Sequence, residues 1–161
     1  MTHREDSVMN IKQIMATASC LLSLALSQAA PGIAWATPRT DPVGNWLTED
    51  GHGVIRIERC AEGICGMIVG IDRAPGDPMP TDSVGRSQCG LVIFTGIGRD
   101  ENGAAEGRIT DPRDGKIYQA QLWLDDANRL HLRGYIGIPL LGATRVWQPF
   151  AGRITTGCRI A

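Results

Sequence analysis

Residues 111–135, DPRDGKIYQAQLWLDDANRLHLRGY, constrain the fold more than any other stretch, because two runs of strict alternation sit between marked turns. Pro112 presets φ for a turn and Gly115 supplies φ > 0, so residues 111–115 reverse the chain. In residues 116–124, Tyr118, Ala120, Leu122 and Leu124 share one face while Gln119 and Gln121 take the other. That period of two belongs to a half-buried strand. Residues 125–128 turn the chain again. Residues 129–136 then set Leu130, Leu132, Gly134 and Ile136 against Arg129, His131, Arg133 and Tyr135. The expectation is a hairpin with an apolar inside and a charged outside.

The first 36 residues read as a signal peptide. Residues 14–30 are mainly apolar, Lys12 precedes them, and Ala34-Trp35-Ala36 offers the small-x-small pattern of a cleavage site. Glu5 and Asp6 suit such a leader poorly, and a start at Met9 gives a more ordinary one. The apolar run is shorter than the roughly 20 residues that span a bilayer and ends at Pro31-Gly32, so no transmembrane span is expected in the mature chain. Residues 37–161 then make one domain, in the periplasm or outside the cell. The formal net charge of the whole chain is −1, and no basic field for nucleic acid or anionic lipid is evident.

Export changes how cysteines are read, because thiols in an oxidising compartment pair. Cys60 and Cys65 bracket a short turn and predict a local disulfide. Cys89 and Cys158 then pair by elimination, although four cysteines allow three connectivities. Cys-x4-Cys without a nearby His is poor zinc spacing, and no metal is expected.

Further strands are predicted at 43–48, 54–59, 65–71, 91–97, 105–110 and 143–148, with a turn at 100–103 and a bend or bulge where Gly66 and Gly70 interrupt the third. Residues 72–90 hold Pro75, Pro78 and Pro80 and few apolar residues, which makes them a loop, either a surface insertion or a lid over an open end. No folded-domain stretch carries a helical period. About eight strands joined mostly by tight turns predict an all-β, antiparallel up-and-down barrel, since closure removes both exposed edges; an open sandwich is the alternative.

An ordered series of motifs is Gly44-x-Trp46-x-Thr48-Glu49-Asp50-Gly51, Cys60 with Cys65-Gly66, Gly90-Leu91, Asp111-Pro112-x-x-Gly115-Lys116-x-Tyr118, Gly134-Tyr135-x-Gly137 and Leu141-Gly142-x-Thr144-x-x-Trp147. With these the chain resembles the DUF2147 family of small exported bacterial proteins, which implies a lipocalin-like barrel and an envelope location. Where that family commonly carries an Asp and an Asn in the central loop and an Arg two residues past the final Trp, this chain has Asp82, no Asn, and Pro149. The Gly-x-Trp start also resembles the first strand of lipocalins, in which a Trp plugs one barrel end under an Arg from the last strand. Trp46, Arg145 and Trp147 are therefore expected to close the barrel, an Arg over an indole gaining about 0.5 to 2 kcal/mol.

No acid, base and nucleophile group together, so no catalytic residue is assigned. His52 lies in a turn and His131 on a polar strand face, both read as solvated. Asp111 and Asp114 are turn formers rather than calcium ligands, and Gly96-x-Gly98 lacks the helix that would present amides to a phosphate, so no cofactor is expected. If the barrel keeps a hollow, Tyr118, Leu122, Leu130 and Leu132 line it by alternation, with residues 72–90 at its mouth. The leading expectation is an exported barrel that binds a small, mainly apolar ligand. The alternative is a filled barrel whose outer face, with Arg129, Arg133 and the long loop, docks on another envelope protein.

Overall fold

The structure is a computed structural model, and it describes residues 41–61, 63–98 and 103–161. The expected leader over residues 1–36 and most of the expected turn at 100–103 lie outside the described residues. Eight strands run antiparallel in chain order: β1 (Gly44–Leu47), β2 (Gly53–Cys60), β3 (Gly63–Ile71), β4 (Val92–Ile97), β5 (Ala105–Thr110), β6 (Ile117–Leu124), β7 (Leu130–Tyr135) and β8 (Ala143–Pro149). Each pairs with the next, and β8 returns to β1 through Trp46 opposite Pro149 and Leu47 opposite Gln148. The result is a closed up-and-down barrel, so the open sandwich is set aside. Closure pairs the edges that an open meander would leave free.

Register follows the alternation. Tyr118, Ala120, Leu122 and Leu124 face inward with their cross-strand partners Ile109, Gly134, Leu132 and Leu130. β3 bends as its glycines require: the ladder shifts between Gly66 and Met67 against β4, and between Val54 and Ile55 against β3. The wall is drawn tight where β4 meets β5, so that a Cβ on Gly107 would collide with the Thr95 carbonyl oxygen. Inside that bend the Phe94 ring leans over Gly96 and its Cβ abuts Gly66, filling the space these small residues leave. Phe94, Trp46, Ile57, Leu122 and Leu130 are fully buried in one core cluster. Burying each such side chain contributes about 1.5–3 kcal/mol.

Two short strands, β9 (Ile154–Thr155) and β10 (Arg159–Ile160), follow the barrel. β10 lies parallel to β3, Arg159 opposite Ile71, and lays Ile160 against Gly70 and Val54. Val54, on the outward side of β2, is thereby buried. The sequence did not predict this hairpin; two-residue strands carry no readable period.

Both disulfides form, Cys60–Cys65 as its spacing predicted and Cys89–Cys158 as elimination left it. Cys60–Cys65 closes the β2–β3 turn, and Cys89–Cys158 joins the end of the long loop to the C-terminal segment.

Candidate functional site

The antiparallel order gathers the connections β1–β2, β3–β4, β5–β6 and β7–β8 at one end of the barrel and β2–β3, β4–β5 and β6–β7 at the other. Inward positions differ between the ends. Toward the second end, Leu130 pairs with Trp147 and both are buried, with Leu124 packed against them. This is a floor. Toward the first end, the inward positions Ile109, Tyr118 and Gly134 are only half-buried, and Ala143 and Arg145 are exposed. Ile109 Cγ2 and Tyr118 Cβ each lie 3.8 Å from where a Gly134 Cβ would stand, so the three converge on a shallow cup.

The rim of this cup is held by local polar pairs. Thr48 Oγ1 donates to Asp50 Oδ1 at 2.7 Å, which with the His52 amide draws the Asp50 carboxyl below its ordinary value. Arg145 Nη1 reaches Glu49 Oε2 at 3.3 Å, across the rim from β8 to the β1–β2 turn. In the β5–β6 turn, Arg113 forks onto both oxygens of Asp111, and that side-chain hydrogen bonding lowers the Asp111 carboxyl and raises Arg113. Lys116 pairs with Asp114 at 2.8 Å, lowering one and raising the other.

The long loop is tied down rather than loose. Asp82 is buried, and its carboxylate accepts from the amides of Val84 and Arg86 and from Arg86 Nε at 2.7 Å. Burial opposes its ionisation, and these hydrogen bonds outweigh it, so the carboxyl sits below the ordinary range. The Ser83 amide donates to the Pro112 carbonyl, and Gly115, at φ 72°, leaves room for Ser83 Oγ where a Cβ would meet it at 2.6 Å. Met79 and Leu91 pack against the core. The loop therefore reaches from the core to the β5–β6 turn, and the exposed inward positions lie on β8.

Of the residues expected to line a hollow, Leu122, Leu130 and Leu132 come together in the packed core, whereas Tyr118 stands at the cup. Trp46 is buried, its Nε1 donating to the Pro42 carbonyl at 2.7 Å, and Trp147 packs in the floor. The expected stacking of Arg145 on Trp46 does not form. Trp46 faces Pro149, and Arg145 lies four residues further along β8, roughly 13 Å at about 3.3 Å per residue.

His131 also departs from the solvated reading. It stacks on Trp123, ring centroids 5.1 Å apart, and its Nε2 lies 2.9 Å from Asp125 Oδ2, which Arg129 Nε also reaches at 2.7 Å. The His131 contact, then the Arg129 amide, hold the Asp125 carboxyl well below the carboxylate range. The recurrence of Asp125, Arg129 and His131 across one hairpin turn was the available signal. On the outer wall, Cys65, Thr95, Arg108, Gln119 and Tyr135 line a concavity of about 790 Å³. Among the described residues no group of acidic, His and Cys side chains is arranged to hold a metal, and no helix is long and apolar enough to cross a membrane.

The family model described as "Uncharacterized protein conserved in bacteria (DUF2147)" matches residues 44–149, from the first residue of β1 to the last of β8. The chain belongs to the DUF2147 family. The match spans all eight strands of the barrel. This DUF2147 barrel is similar in structure to a Helicobacter pylori protein described as belonging to the lipocalin family, with a TM-score of 0.58 and 15% identity over 69% of this chain and 84% of that one. At that identity the likeness concerns the fold: the DUF2147 chain is a lipocalin-like barrel. No curated protein matches it.

Proposed function

We propose that the protein is an exported carrier of a small, mainly apolar ligand with one polar end, held in the cup at the barrel mouth. The observation that carries this reading is the half-burial of Ile109, Tyr118 and Gly134 at positions whose side points into the barrel. An apolar inner face left uncovered beside a packed floor is the setting in which a ligand removes the most surface from water. Leu132 and Leu122 form the base of the cup and Tyr118 its wall. Arg145, within reach of Glu49 at the rim, is the cation for the ligand's polar end. Two disulfides among the four cysteines of the folded part support an oxidising compartment outside the cytoplasm.

Native mass spectrometry of the gently purified protein should show a stoichiometric added mass that leaves on denaturation. The Ala143→Phe variant, which fills the cup from an exposed position, should lose it without a change in melting temperature. A wild-type protein that carries no added mass, and whose tryptophan emission does not respond to a panel of fatty acids and lysolipids, would remove this reading.

The concavity on the outer wall favours a second reading, a docking face for another envelope protein. Arg129 and Arg133 do not serve it freely, because Asp125 and the β7–β8 connection already engage them. Arg108, Gln119 and Tyr135 would carry the contact. Crosslinking from a photoreactive residue at Gln119 that yields no reproducible partner counts against it.

A further inference from the structure

Residues 136–142, which join β7 to β8, carry no charge. Four large aliphatic side chains stand on this connection almost bare: Ile136 is 73% exposed, Ile138 54%, Leu140 81% and Leu141 76%. Ile117, at the neighbouring start of β6, adds another at 61%. Such residues in water cost free energy, and contiguous exposed apolar surface marks a contact site.

The backbone beneath them is fixed. Arg133 donates from Nε to the Pro139 carbonyl at 2.6 Å, from Nη2 to the Leu140 carbonyl at 3.3 Å, and from Nη1 to Thr144 Oγ1 at 2.7 Å. Within the connection, the amides of Ile138, Leu141 and Gly142 donate to the carbonyls of Ile136, Ile138 and Pro139. Gly142 lies so close to β7 that a Cβ would meet the Gly134 carbonyl oxygen at 2.6 Å. The hydrophobic side chains are thus presented on a braced loop in which the carbonyls of Ile136, Ile138, Pro139 and Leu140 all accept hydrogen bonds from within the connection or from Arg133.

That combination selects hydrocarbon as the neighbour. Acyl chains offer no hydrogen bonds, so backbone entering them must be satisfied internally, whereas a protein partner can supply donors and acceptors. The flanking charges agree: the uncharged tip lies between Arg133, whose guanidinium is taken up by the connection and Thr144, and Arg145, which pairs with Glu49, so no free charge has to leave water. We infer that the β7–β8 connection docks the barrel mouth-first on a phospholipid bilayer, with Leu140 and Leu141 entering the acyl layer. The other rim charges are paired among themselves, Glu49 with Arg145, Asp111 with Arg113 and Asp114 with Lys116. Attachment therefore comes from apolar insertion and needs no anionic lipid. This docking stands apart from whether the cup holds a ligand.

The test is sedimentation of the folded protein with unilamellar vesicles of phosphatidylcholine alone. Binding should change little between about 0.1 and about 0.5 M salt, where exposed charges become screened. Leu140→Ser together with Leu141→Ser should lower partitioning at least about tenfold, the loss expected when buried leucine surface is removed. The melting temperature should stay unchanged, because both side chains are exposed. Emission of a Leu140→Trp variant should shift to the blue on vesicles. Ala143→Phe, which fills the cup, should bind vesicles as the wild type does, so the ligand reading and the docking reading fail separately. Absence of vesicle binding, equal binding by the double serine variant, or a dimer dissolved by that variant in place of vesicle binding would each overturn the inference.

Discussion

The two ends of the barrel are built from the same eight strands and the same alternation, yet one is a packed floor and the other a partly open mouth. On β7 and β8, Leu130 and Trp147 are buried against each other, while two to four residues away Gly134, Ala143 and Arg145 leave the inner face accessible. Side-chain size makes the difference. Large residues meet at the floor, whereas Gly134 and Ala143 leave space at the mouth. Alternation thus decides which way a side chain points, and the volume at each inward position decides whether the space is filled.

The largest expected effect tests the filled region. Phe94→Ala removes a fully buried ring packed over Gly96, and should cost about 3–5 kcal/mol in urea unfolding followed by tryptophan emission. Ile109→Ala, its neighbour across the ladder but half-buried at the cup, should cost only about 1–2 kcal/mol in the same assay. Equal losses at the two positions would erase the distinction between the filled interior and the open cup.

The smallest effect concerns acid. The Asp125 carboxyl at the floor end is lowered from 3.8, as are those of Asp50, Asp111 and Asp114 at the mouth. A depressed native value means that each contribution is complete above about 3.8 and is lost as pH falls toward the native value. Stability should therefore decline below about pH 4, and Asp125→Asn should flatten part of that decline without removing it. A melting-temperature profile from pH 6 to about pH 2 for both proteins measures the share, and identical acid slopes would mean that the carboxylate at the β6–β7 turn contributes nothing.

Much of this architecture was legible in the residues. The central hairpin, the inward set Tyr118, Leu122, Leu130 and Leu132, the bend of β3 at its glycines and the two disulfides follow from alternation, turn chemistry and cysteine spacing. What escaped notice depends on partners distant in sequence or on rotamers. Arg145 was expected over the Trp46 ring, but strand register sets it beside Glu49 instead. His131 looked solvated because periodicity records only the face it occupies and says nothing of the Trp123 ring beside it. The bracing of the β7–β8 connection by Arg133 depends on a guanidinium reaching carbonyls six and seven residues onward, which no pattern of side-chain types announces.

The bond between Cys89 and Cys158 spans 69 residues and has β4 to β8 inside its span. Five of the eight staves consequently belong to one covalent hoop. A single nick by a protease in any connection within it yields fragments that stay joined, separating only when a reductant opens the hoop.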